Sequence, residues 1–91
     1  MRIIGEVPHP SYKITVFEMN KKLSVKIEDR VMEQTFKFRE GAGVANMADV
    51  QSLLTDDFLT GVATTFKSMY DNYVSGLESM EQDEDLMFEI I

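Results

Sequence analysis

The sequence predicts an α+β protein, an antiparallel three- or four-stranded meander with one long C-terminal helix packed across one face. Three observations carry this. Runs of alternating apolar and polar residues lie between Tyr12 and Arg39, separated by short polar links. A later stretch repeats its apolar residues every three or four positions. The chain has 91 residues, a length that supports one domain with one modest core.

Tyr12, Ile14 and Val16 alternate with Lys13, Thr15 and Phe17. Successive side chains of a strand point to opposite faces, so this alternation describes a half-buried strand. Asn20-Lys21-Lys22 follows as a polar, turn-compatible link. Leu23, Val25 and Ile27 then alternate with Ser24, Lys26 and Glu28. Beyond the break at Glu28-Asp29-Arg30, Met32, Gln34, Phe36 and Phe38 alternate with Glu33, Thr35, Lys37 and Arg39. Links this short join antiparallel neighbours. Arg2–Val7 is the candidate fourth strand, ended by Pro8-His9-Pro10 because proline lacks the donor a ladder needs.

Gly41-Ala42-Gly43 breaks the pattern. Val50–Leu54 fits one short helical turn behind Asp49. Thr55 is suited to cap a helix start, and Asp56 and Asp57 suit its positive end. Leu59, Ala63, Phe66, Tyr70, Tyr73, Leu77 and Met80 then form the predicted buried line, widened by Phe58, Val62, Met69 and Val74. A stripe this wide suits a helix lying on a sheet rather than a coiled-coil seam. Gly76 reads either as a left-handed stop or as a helical glycine costing about 1 kcal/mol relative to alanine. A helix over 56–80 would be about 37 Å long, whereas an eight-residue strand spans about 27 Å. The helix would overhang by a turn or two and expose Tyr73, Leu77 and Met80. A stop at Ser75 removes most of that overhang. The expected organisation is one domain over 1–80, with its sheet at about 2–40 and its helix at about 56–80, and an acidic-apolar tail over 81–91.

The 44% hydrophobic content argues against global disorder. The absence of cysteine removes disulfides, thiolate metal sites and a cysteine nucleophile, and suits a reducing compartment. No leader-like apolar run or membrane-length span is visible, so the expected location is cytoplasmic, without membrane insertion. The net charge of −7 hides an asymmetry. Residues 1–41 hold eight bases and six acids, net +2, whereas residues 42–91 hold Lys67 and ten acids, net −9. Such asymmetry bears on partners.

His9, the only histidine, has no nearby ligand company and reads as structural. The serines lack a nucleophile elbow, the glycine pair lacks the Gly-Lys-Ser/Thr of a phosphate loop, and the run Glu81–Asp85 lacks calcium-loop spacing. No enzyme activity, cofactor or metal is therefore expected.

Two surfaces remain. The outer sheet face would carry Lys13, Phe17, Lys22, Lys26, Lys37 and Arg39, diluted by Glu28 and Glu33. Cations around an aromatic ring are what single-stranded nucleic acid requires. A meander-plus-helix unit with this face is similar in architecture, without a shared motif, to the single-strand-binding modules of the Pur-alpha and Whirly type. The bland alternative is a solvated face whose alternating charges oppose edge aggregation. The second surface joins Tyr73, Leu77 and Met80 of the helix with Leu86, Met87, Phe88 and Ile90 of the tail. That tail is similar in style to the C-terminal tips of bacterial single-strand-binding proteins, without their terminal Pro-Phe. One sheet with one covered face is a small core, and oligomerisation is a usual remedy. The expectation is a homodimer that offers a binding surface to an unidentified protein partner, with nucleic-acid binding as the alternative.

Overall fold

The computed structural model describes residues 1–81, so the tail positions Leu86, Met87, Phe88 and Ile90 lie outside the described residues. Strands β1 (Arg2–Val7), β2 (Lys13–Met19), β3 (Lys22–Asp29) and β4 (Met32–Lys37) are followed by helices α1 (Met47–Leu53) and α2 (Asp56–Glu81). The strands form one antiparallel sheet in the order β1-β2-β3-β4. Arg2–Val7 is thus a paired edge strand, with a register irregularity between Ile3 and Gly5.

The inner face is the one the alternation predicts. Ile14, Val16, Leu23, Val25 and Ile27 are buried, and Met32, Phe36 and Phe38 pack against them. Gln34 shares that face and satisfies its amide by donating from Nε2 to the Val62 carbonyl of α2 at 3.0 Å. A buried polar group without such a partner would cost stability.

Both helices cover this face. In α1, Val50 enters the core. The helix begins earlier than the sequence suggests, because Asn46 rather than Asp49 caps it. Asn46 Oδ1 accepts from the Asp49 amide at 2.9 Å, and Asp49 Oδ2 accepts from the Ala45 amide at 2.9 Å. The first bond satisfies an amide that a helix start leaves free, and the second ties the residue before the cap back to the first turn. Met47 lies against Gly5, where an added Cβ would meet its Cε at 3.0 Å. In α2, Thr55 is the predicted cap, its hydroxyl accepting from the Phe58 amide at 3.1 Å.

The contact line of α2 differs from the predicted one. Phe58, Val62, Phe66, Met69 and Tyr70 meet the core, while Ala63 is exposed. An interval of four residues advances the contact by about 40° round a helix. The line therefore winds as the rod crosses a twisted sheet, and this carries Ala63 outside. Gly76 is helical, not a stop. Every residue from Asp71 to Met80 is exposed. Ten residues rise about 15 Å, so the overhang is nearly three turns, longer than the predicted one or two. This gives the molecule principal extents of 52 × 28 × 22 Å.

Candidate functional site

Two anchors fix where α2 leaves the sheet. The Tyr70 hydroxyl donates to the Asp29 carbonyl at 2.6 Å, at the turn between β3 and β4. Arg30, in that turn, lies over the Tyr70 ring at 4.4 Å. The hydrogen bond to Asp29, and then its charge, raise the Arg30 pKa above the usual guanidinium value. At the other anchor, His9 Nδ1 accepts from the Ser11 and Tyr12 amides at 3.0 and 3.1 Å. The His9 ring stacks on Tyr12 with centroids 4.7 Å apart, and Tyr12 meets Phe66 at 5.4 Å. His9 therefore organises the link between β1 and β2. No sequence signal beyond its place between two prolines marks this role.

Past Tyr70 the helix projects beyond the β3–β4 turn. Tyr73, Val74, Leu77 and Met80 are 45–51% exposed. Intervals of three and four extend the buried line of Met69 and Tyr70 onto Tyr73, Val74 and Leu77. This apolar stripe therefore looks toward the side where the sheet has already ended. Tyr73, Leu77 and Met80 are together as the spacing suggests, and Val74 belongs with them.

The outer face of the sheet holds a concavity of about 700 Å³ near the β2–β3 turn. Lys22, Lys26, Lys37 and Arg39 line it around Phe17, and among the described residues no acid does. Lys13 is not part of this group, since its register partner is Glu28, which pairs in turn with Glu33. Thr15, predicted to be exposed on this face, is buried between its register partners Glu6 and Lys26. Two features temper the concavity. Lys26 Nζ sits 5.3 Å from the Phe17 ring centroid and 3.9 Å from Glu28 Oε1. Sequence reading missed Met19, which is 54% exposed at the rim. Its alternation marks a face but not the depth that twist gives it.

Among the described residues, no group of three or more His, Cys, Asp or Glu is placed to hold a metal ion. Among the same residues, no helix is long and apolar enough to cross a membrane. Comparison with protein-family models, curated proteins and solved structures finds no match.

Proposed function

We propose that this chain is a small, non-enzymatic, cytoplasmic interaction module that self-associates and offers a binding surface to a protein partner. The observation that supports this most directly is the overhang of α2. Three helical turns without a packing partner among the described residues would be marginal in water on their own. Here they carry an apolar stripe that includes Tyr73, Leu77 and Met80, each close to half exposed. Exposed apolar patches of this kind mark association surfaces.

Light scattering coupled to size exclusion tests the reading. At high micromolar concentration the expected mass is at least twice the 10.4 kDa of one chain. Leu77→Asp should return it toward that of one chain. A wild-type protein that stays monomeric throughout would reject self-association.

A second reading, single-stranded nucleic-acid binding, is favoured by the concavity that gathers Lys22, Lys26, Lys37 and Arg39 around Phe17. It requires oligonucleotide binding that weakens with salt and with Lys26→Glu, Lys37→Glu or Phe17→Ala. It ranks second because Lys26 already occupies the neighbourhood of the Phe17 ring, and because residues 42–91, net −9, repel phosphate.

A further inference from the structure

We propose that copies of this chain associate head to tail, with the projecting end of α2 from one copy seated in the cationic concavity on the outer sheet face of the next. The inference rests on the self-association reading above and specifies which surfaces meet.

Charge supplies the first argument. The concavity presents Lys22, Lys26, Lys37 and Arg39, with no acid in its lining among the described residues. From Ser68 to Ile91 the sequence contains seven acids and no lysine or arginine. Two of those acids, Asp71 and Glu78, lie on the exposed overhang. Two overhangs packed against one another would oppose like charges, whereas an overhang on the concavity pairs opposite ones. Apolar surface supplies the second argument. Phe17 and Met19 line the concavity, and Tyr73, Val74, Leu77 and Met80 are exposed on the helix.

Topology supplies the third. α2 lies on the inner face and leaves the sheet beside Asp29, as the Tyr70 contact shows. The concavity opens on the outer face beside Asn20 and Lys22, at the opposite end of β3. The described overhang of one copy therefore cannot fill its own concavity. Two different surfaces at opposite ends make a heterologous contact, which leaves one free end of each kind and allows growth beyond a pair.

Two variants separate the surfaces. Lys26→Glu/Lys37→Glu reverses the concavity, and Leu77→Lys/Glu78→Lys reverses the helix end. All four positions lie at the surface or are only partly buried, and circular dichroism would verify folding. Lys22→Glu/Arg39→Glu is the substitute concavity variant, because Lys26 already neighbours Glu28. Wild type should form species whose mass grows with concentration and whose association weakens with sodium chloride, since salt screens opposite charges. Each variant alone should associate at least ~10-fold more weakly. Mixed in equal amounts, they should associate again, because the unaltered helix end of one variant meets the unaltered concavity of the other and the two reversed surfaces are themselves opposite in charge.

If the concavity variants alone associate like wild type, or if salt strengthens association, the head-to-tail contact is wrong while self-association stands. If wild type itself is monomeric, the underlying reading fails as well. If a concavity variant loses binding to a single-stranded oligonucleotide held by wild type, with self-association unchanged, the concavity belongs to nucleic acid and the proposal is overturned.

Discussion

Lys21 occupies left-handed backbone space, with φ at 64° beside Asn20 at 53°. Paired positive φ values are what a two-residue hairpin turn of the favoured hand requires, and asparagine followed by glycine suits it best. Lysine there bears a steric cost of about 1 kcal/mol. Lys21→Gly should therefore raise unfolding free energy by about 0.5–1 kcal/mol, read as a higher urea midpoint with an unchanged slope. Tyr70→Phe tests the opposite case. It removes the donor to the Asp29 carbonyl but leaves the ring under Arg30. The expected loss is about 1 kcal/mol, the net worth of a partly buried hydrogen bond. At Asn20-Lys21-Lys22 the sequence makes a link visible but not the sign of φ, since lysine has no bias toward that conformation. The aromatic line likewise marks Tyr70 as buried, but its hydroxyl partner depends on a turn 41 residues away.

Helix α2 is one continuous rod with two environments. Its first half is fastened by Val62 and Phe66 in the core, whereas every residue from Asp71 to Met80 is exposed. Gly76 lies in the second half, where an added Cβ meets nothing within 4 Å. Gly76→Ala should strengthen the helix locally by about 1 kcal/mol. For an overhang that opens independently of the core, this gain should appear as slower amide exchange between Asn72 and Met80. The global urea midpoint should not move. A shifted midpoint would mean that the overhang unfolds together with the sheet. The strands were legible because a period of two is rigid and the inner faces are mostly apolar, Gln34 being a polar exception that finds its partner on α2. α2 was legible as a helix, but its buried line was not fully so. Small Ala63 fits the periodic template equally well on either side, and only the crossing angle decides. α1 was blurred because a single residue, Val50, is buried on it.

The whole molecule is longer than its chain length suggests. Its radius of gyration is 17.4 Å, against about 12 Å for a compact domain of this size. Part of the charge division seen in the sequence maps onto this shape, with Lys22, Lys26, Lys37 and Arg39 at the concavity and Asp71 and Glu78 on the projecting helix. The sequence showed the division but not the depth of the concavity, which is assembled from β2, β3, β4 and the segment after β4.

The meander also has a consequence for the order of folding. Among the described residues each strand pairs only with its neighbour along the chain, so loop closures are short and pairing is fast. Roughly 30 residues separate Lys37 from Phe66, so bringing the helix onto the sheet closes a longer loop than any hairpin does. A sheet that zips first leaves its inner face bare until that loop closes, and during that interval a chaperone, or a second unfolded copy, competes with the protein's own helix for Val25 and Ile27.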